Sequence, residues 1–429
     1  MNPFLTSTFF GRAREIKRII SRISSGGQSV AITGEERMGK SSLLRRLADP
    51  AFRDELYGEL APRLLFQYID AQTFTDTFTP AQFWQLVLTP LSERLPTISS
   101  PALTAAYETC KTEGFGVFVL DRLLAQLQAG GWRMVLLLDE FDNLLNLPML
   151  HKSEFYGGLR SLSMRNESLT LVTASRQPLE ALNSATQEYS RLGSPYFNFM
   201  YPLALGALSD TDARALLARG DEHFTKADKD YLLYIAGGHP FLLKTAACAL
   251  WEIYEDGEKE RQLRWETTAR DLLDACRPVL LDTWRGWSPE TRKAVTVIAL
   301  DALPRLVSGK EFDMDSLLAT VQDYSPEVDE LKKRGFLSAD PDTRSGFRLQ
   351  AQVMLWWLAS ELIRVIRQTE SEDLGDWLRK QQWDGIIKGE EKNQLKLALT
   401  ALGGMLKAGS EAFIKASAEG YAKALLNPK

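Results

Sequence analysis

Cysteine and histidine are scarce in this 429-residue sequence, three of each, and neither set is grouped. Cys110, Cys248 and Cys276 stand far apart with no CxxC spacing, which excludes a disulfide framework and fits a reduced, cytoplasmic protein. His151, His223 and His239 are equally scattered, so no zinc-ligand spacing exists. Long hydrophobic runs are missing too: no uninterrupted apolar stretch approaches the roughly 20 residues of a membrane span. The opening MNPFLTSTFFGRAREIKR has no charged start followed by a long apolar core, so no signal peptide is expected. Charge of one sign is not in excess. The formal net charge of −5 and pI near 5.6 exclude a global electrostatic footprint for nucleic acid. No repeat of 20–50 residues recurs, which argues against an appended solenoid or propeller. What remains is the composition of an ordinary soluble globular protein, long enough for about two to four domains with their own cores.

Against these absences stands one complete phosphate-binding motif. Gly34-Glu35-Glu36-Arg37-Met38-Gly39-Lys40-Ser41 reads GxxxxGKS, and Ser42 continues it into the next element. Ser29-Val30-Ala31-Ile32-Thr33 before it has the pattern of a short buried strand, and Ser42–Leu47 after it that of the first turns of a helix. The glycines let the backbone curl so that its N–H groups surround phosphate at the positive end of the helix. Lys40 is expected to neutralise the β- and γ-phosphates, and the Ser41 hydroxyl to hold Mg²⁺.

Strand-like runs at 29–33, 64–69, 134–138, 169–174 and 197–203 alternate with helical stretches, beginning with a helix over 12–24. The runs at 64–69 and 134–138 are almost wholly apolar, as in strands buried on both faces of a parallel sheet. The fold class expected is therefore α/β, a P-loop NTPase domain with a parallel sheet over about residues 1–204. Beyond 205 the strands stop. Ser209 with Asp212, and Thr225 ahead of a stretch ending at Gly237-Gly238, announce helices, and 240–256 and 266–284 continue them as a helical lid over 205–285. Ser288-Pro289-Glu290 and Ser325-Pro326-Glu327 start two more helices. Phe336–Ala339 and Gly346–Leu349 flank a turn-rich loop that suits a hairpin, so 286–367 is expected to be a winged helix.

The strand Met134–Leu138 runs into Asp139-Glu140. At the C-terminal end of a parallel strand, Asp139 is expected to face the Mg²⁺ shell and Glu140 to orient and deprotonate a water. Asp142 reads as a solvated residue at the start of a helix. The strand Leu169–Ala174 ends in Ser175-Arg176, and parallel strands deliver their C-terminal ends to one crevice, so Thr173, Ser175 or Arg176 is placed to meet a γ-phosphate. Arg160 reads either as a solvated helix arginine or as an arginine finger for a neighbouring subunit.

Three further motifs, in order, resemble those of the STAND and archaeal-type branches of AAA+-related P-loop ATPases. Phe9-Phe10-Gly11-Arg12-Ala13-Arg14-Glu15 resembles their hhGRExE entry, Val172–Arg176 their sensor strand, and Gly238-His239-Pro240 their GxP motif. The resemblance covers about residues 8–365. It implies that Gly11 and Arg12 lie near the adenine and ribose, that Pro240 packs against the base, and that Arg176 senses the γ-phosphate. ATP or ADP with Mg²⁺ are the ligands it implies, and a low-turnover ATPase used as a switch, with homo-oligomerisation and an effector or sensor partner, is the activity.

A DNA-binding initiator or transposition-type ATPase using the winged helix is the alternative. Over 288–367 eleven Lys and Arg face twelve Asp and Glu, a net of −1, where a phosphate-contacting surface is normally basic. Lys332-Lys333-Arg334 is the one favourable cluster, and it equally complements a helix C-terminus.

The C-terminal segment 368–429 stands apart. In 395–426 Lys407, Glu411, Lys415, Glu419 and Lys423 recur every four residues, and Gly403-Gly404 reads as a break between two helices. An oligomerisation helix, an effector adaptor, a membrane-active segment and a terminal hairpin docked on the winged helix all fit this pattern.

Overall fold

Runs of Val, Ile and Leu with no polar alternation can be satisfied only where both faces of a strand are covered, and Val30–Ile32 and Met134–Leu138 are two such runs in a central sheet of five strands. The strands are β1 (Val30–Thr33), β2 (Leu64–Asp70), β3 (Arg133–Asp139), β4 (Leu169–Ser175) and β5 (Tyr201–Ala204). The computed structural model describes residues 2–5, 9–150, 152–186, 195–307, 312–369, 378–383, 385–387, 389–405, 414–415, 418–419 and 421. Two compact units emerge, one of residues 12–205 and one of residues 1–11 with 206–429.

In the first unit the strand order is β2-β3-β4-β1-β5 and every pairing is parallel. Val30 pairs with Val172 and Tyr201, and Asp70 with Asp139, so all five C-terminal ends reach the same edge of the sheet. α1 (Ala13–Gly26) and α2 (Lys40–Ala48) flank β1 in sequence. Leu65, Ile69, Phe83, Leu120, Leu136 and Tyr156 belong to one buried cluster between the sheet and its helices. β5 is an edge strand. Tyr201 and Leu205 donate their N–H groups to Ser29 and Thr33, so the intervening Pro202 stands at a position that faces away from β1.

The second unit opens with four helices, Asp210–Leu217, Lys226–Ala236, Pro240–Glu255 and Arg261–Gly286, which form the lid. Two caps announced by the sequence are made: Ser209 Oγ accepts from the Asp212 N–H at 3.1 Å, and Thr225 and Asp228 complete a capping box. Asp228 is fully buried yet saturated, accepting from Thr225 Oγ1 (2.6 Å), Tyr254 Oη (2.8 Å) and Trp265 Nε1 (2.8 Å). The winged helix follows, with helices Pro289–Val307, Asp315–Asp323 and Ser325–Arg334, an antiparallel hairpin of β6 (Leu337–Ala339) and β7 (Phe347–Leu349), and the helix Gln352–Thr369. The end of Ser325–Arg334 is seated on the chain at 206–207. A Cβ on Gly206 would stand 2.4 Å from the Lys333 carbonyl oxygen, and one on Gly335 2.4 Å from Ala207 Cβ.

The described part of the C-terminal segment docks on the winged helix. Gln381 Oε1 accepts from Trp284 Nε1 (3.3 Å) and Arg292 Nη1 (3.2 Å), and Trp383 Nε1 donates to the Pro289 carbonyl at 3.0 Å. The buried Lys293 ammonium donates to Glu391 Oε2 at 2.8 Å and to the Ile386 carbonyl at 3.0 Å. Tyr421 stacks on Tyr234 of the lid, ring centroids 4.7 Å apart. The expected break at Gly403-Gly404 is corrected: the helix Gly389–Met405 runs through both, its docked face outweighing the helix cost of two glycines. Leu406, Lys407, Gly409, Glu411, Phe413, Gly420, Lys423 and Leu425 lie outside the described residues. Among the described residues no helix is long and apolar enough to cross a membrane.

Burial raises the Asp228 carboxyl, but the hydrogen bonds from Thr225, Trp265 and Tyr254 outweigh it and hold it below its ordinary value. A depressed folded-state value stabilises above the unfolded one, so this contribution is lost as pH falls through and below the usual carboxylate range. Asp228→Ala leaves four donors without their acceptor, among them the buried indole N–H of Trp265. It should cost about 3 kcal/mol and lower the melting midpoint of the second unit by about 6–12 °C at neutral pH, with the difference shrinking in acid. Thermal unfolding followed by circular dichroism at pH 7 and pH 3 measures both.

Candidate functional site

β4 lies between β1 and β3, so the chain that leaves β4 emerges between the phosphate loop after β1 and the acid pair after β3. Three chain turns therefore meet at the carboxyl edge of one sheet, the usual ligand crevice of a parallel α/β domain. Backbone strain gathers there. Of the five described non-glycine residues with positive φ, three are Arg12 (65°), Arg37 (61°) and Glu140 (50°), each at a cost of about 1–2 kcal/mol. Gly39 (φ 92°) turns the loop into α2.

Lys40 opens α2 and is buried. Its Nζ donates to the Gly34 carbonyl at 2.8 Å and the Glu35 carbonyl at 3.0 Å. An ammonium has three N–H donors, so one is left for a phosphate oxygen. Burial pushes the Lys40 ammonium below its ordinary value, while the carboxylates of Glu140, Glu35, Asp142 and Asp139 pull it back up. The loop is anchored at its base, where the Gly34 N–H donates to the Ser175 carbonyl at 3.3 Å and a Cβ on Gly34 would lie 2.7 Å from the Leu205 carbonyl oxygen. Its far side is held by Arg12, whose Nη2 donates to the Met38 carbonyl at 3.3 Å while Nη1 lies 3.6 Å from Glu15 Oε1. Met38 is buried, Arg37 is exposed beside Glu36 at 3.7 Å, Ser41 is half-buried and Ser42 exposed.

At the end of β3, Asp139 is buried with both oxygens oriented. Tyr68 Oη donates to Oδ2 at 2.7 Å, and the Glu140 N–H donates to Oδ1 at 3.1 Å. The Tyr68 hydroxyl is pushed up to about 12 by burial and by this bond, and it accepts in turn from Arg45 Nη2 at 3.3 Å. Glu140, in the left-handed conformation, turns the chain sharply into Phe141–Asn146. Burial pushes its carboxyl above the ordinary value; Lys40 opposes this, and Asp142, Asp139 and Asp70 add to it. Asp142 is not the solvated residue expected. Its Oδ2 accepts from the Arg176 N–H at 3.2 Å, and its Oδ1 is buried without a hydrogen-bond partner.

Of the three candidates on β4, Thr173 and Ser175 are wholly buried, with the Ser175 hydroxyl donating to the Gln177 carbonyl at 2.8 Å. Arg176 keeps 34% of its side chain exposed, with Nε 3.8 Å from Oε2 of Glu35, a carboxylate only 2% exposed. Arg160 donates Nη1 to the Pro195 carbonyl at 3.2 Å, so it is tied within its own unit rather than solvated. Gly11 and Pro240 belong to the second unit. Gly11 (φ 68°) approaches Asp212 so closely that a Cβ would stand 2.6 Å from its Cγ, and Pro240 opens its helix at the first position behind the buried His239.

The first unit thus brings together Arg12, the 34–42 loop, Asp139, Glu140 and Arg176. Sequence reading missed the side-chain role of Glu35, the Tyr68 hydroxyl and the Asp142 bond. Only Tyr68 left a trace, as a polar tip within an apolar strand. The donors fit a hard cation held mainly by water and phosphate: the Ser41 hydroxyl, the Asp139 carboxylate and the unpartnered Asp142 Oδ1 are all oxygens. Among the described residues no group of three or more His, Cys, Asp or Glu forms a metal cage, and Mg²⁺ bound to a nucleotide needs none.

Lys40→Ala removes the ammonium that donates to the loop carbonyls of Gly34 and Glu35. Binding of ATP and ADP, measured by calorimetry on protein whose circular dichroism is unchanged, should weaken by at least about tenfold, the low end for a charged hydrogen bond.

Among curated proteins none matches the sequence significantly. Solved structures similar to the chain include a Walker-type ATPase of Pyrococcus abyssi, 16% identical, covering 82% of this chain and 96% of that one with a TM-score of 0.48. The ORC2 protein of Aeropyrum pernix is 15% identical, with 84% and 98% covered and a TM-score of 0.48. A STAND protein with a tetratricopeptide repeat sensor from Pyrococcus horikoshii is 13% identical, with 99% of this chain and 59% of that one covered and a TM-score of 0.32. The family model described as AAA-like domain matches residues 3–263. Since that match spans well over half of the chain and holds the phosphate loop together with the strand and helix that build it, the chain belongs to the AAA-like domain family.

Proposed function

We propose that this protein is a nucleotide-operated switch. It binds ATP with Mg²⁺, hydrolyses it slowly, and changes conformation or assembly with the nucleotide it holds. The observation that carries this reading is the position of Arg176 between the phosphate loop and the acid pair, its backbone N–H bonded to Asp142 and its side chain partly exposed. Only ATP offers a γ-phosphate to an arginine at that position, so the two nucleotides differ in the contacts they make there.

Lys40 and the N–H groups at the start of α2 bind the β- and γ-phosphates. Mg²⁺ held by Ser41 and Asp139 supplies charge neutralisation at those phosphates. Tyr68 and the Glu140 N–H keep the Asp139 carboxylate oriented, and Glu140 takes a proton from water at its carboxylate. Gly11 and Arg12 serve the adenine and ribose and Pro240 the base, as the family resemblance implies. The lid, winged-helix and C-terminal segments at 205–285, 286–367 and 368–429 are the parts that respond. Homo-oligomerisation, an effector or sensor partner, and a cytoplasmic role in signalling, defence or regulation complete the reading.

The winged helix supports an internal role over DNA reading. Lys332 lies 3.1 Å from Asp329 and Arg334 2.8 Å from Glu330, so two of the three clustered cations are paired within their own helix. Duplex DNA should therefore show little binding near 50 mM salt. A slope of log K against log salt steeper than about −3 would demand several phosphate contacts and support the DNA reading instead.

Glu140→Gln tests the switch. Turnover should fall by about 10²–10⁴-fold while ATP stays bound. Mass in solution, or hydrogen exchange of the lid, should then differ between ATP-loaded mutant and ADP-loaded wild type. Identical mass and exchange in the two states would leave a scaffold that keeps nucleotide as a structural ligand.

A further inference from the structure

The Glu35 side chain is unusual for its place. It sits in the phosphate loop, directly after Gly34, yet its carboxylate is 2% exposed and points at a cation rather than at solvent. A carboxylate so buried is tolerated only with countercharge and hydrogen bonds. Arg176 supplies countercharge at 3.8 Å, and Glu35 is among the groups that raise Lys40, so it also lies within the field of that ammonium. The same residue thus serves the loop twice: its carbonyl accepts from Lys40 and its carboxylate faces Arg176.

A γ-phosphate in this crevice draws on both cations. Arginine recognises phosphate through paired N–H groups, and its backbone at Arg176 is already fixed by Asp142, so the guanidinium alone has to move. Its departure takes the Arg176 countercharge from the buried Glu35 carboxylate just as a second anion arrives. ADP makes no such demand, because its terminal phosphate stops at Lys40. The carboxylate therefore opposes ATP selectively and holds the arginine back until a γ-phosphate is present.

We propose that Glu35 is a positioning residue that parks Arg176 in the absence of a γ-phosphate and thereby sets the preference of the site between ATP and ADP. The inference rests on the reading of Arg176 as the γ-phosphate contact given above.

The test is a double-mutant cycle on the full chain with Glu35→Gln, Arg176→Ala and both together, measuring affinities for ADP and for a non-hydrolysable ATP analogue with Mg²⁺. Glu35→Gln should shift the ratio of affinities toward the ATP analogue by at least about fivefold, the low end of typical coupling, with ADP binding nearly unchanged. Arg176→Ala should shift the ratio toward ADP, and in its background Glu35→Gln should have lost most of its effect. A general structural role for Glu35 would weaken both nucleotides alike, and that outcome overturns the proposal. So does a Glu35→Gln effect that persists in full without Arg176. If Arg176→Ala leaves the ratio untouched, the reading of Arg176 falls and the proposal with it; if it shifts the ratio but Glu35→Gln does not, the proposal alone falls. The Arg176 Nε–Hε resonance of the wild type, assigned by its loss in Arg176→Ala, gives a side-chain readout independent of any mutant's folding. ADP should leave its chemical shift as in the nucleotide-free protein and the ATP analogue should move it, whereas the same shift with both nucleotides overturns the parking of Arg176.

Discussion

One buried ammonium organises the first unit. Lys40 closes the phosphate loop by donating to the carbonyls of Gly34 and Glu35, and it is the cation against which Glu35, Asp139, Glu140 and Asp142 are set. Each of those carboxylates serves a separate turn of the chain, and like charges gathered at one sheet edge repel unless a positive charge stands among them. Remove it and the loop loses both of those bonds while the acids lose their common counterion. The strained backbone at Arg37 and Glu140 is maintained in the same neighbourhood, which is where strain is expected to be kept when geometry serves ligand binding.

How far the sequence carried the architecture depended on the range of the interactions involved. The strands were legible because apolar runs such as Met134–Leu138 have no other way to be buried, and their limits fall within a few residues of those expected. Caps are local, so Ser209 and Thr225 could be read directly. The order of the strands is not a local property. That β4 separates β1 from β3 is what brings Arg176 beside Glu35 and Asp142, and no spacing in the chain encodes it. The same holds for Gly403-Gly404, where propensity pointed to a break and tertiary packing kept the helix. Tyr68 and Asp142 were illegible for a related reason: a hydrogen bond between residues 34 or 71 positions apart leaves no periodic trace.

The second unit is held by buried polar bonds as much as by apolar packing. Asp228 fastens three aromatic or capping donors within the lid, and Lys293, Gln381 and Trp383 fasten the C-terminal segment to the winged helix. Polar contacts of this kind specify one docking geometry, since every alternative leaves a donor or acceptor stranded. With the end of Ser325–Arg334 set against 206–207 and Tyr421 against Tyr234, lid, winged helix and tail are coupled parts of one body rather than modules on a string.

The outer edge of β5 constrains how copies of this chain can meet. A sheet edge normally offers a row of free N–H and carbonyl groups on which another strand can add. Here the N–H groups of Tyr201 and Leu205 turn inward to β1, and Pro202, at one of the two outward positions between them, has no N–H to offer. Strand addition across that edge lacks one of its donors. Continuation of the sheet from β5 into another molecule is thereby disfavoured, which leaves side-chain surfaces as the way for a second copy to meet the protein on that side.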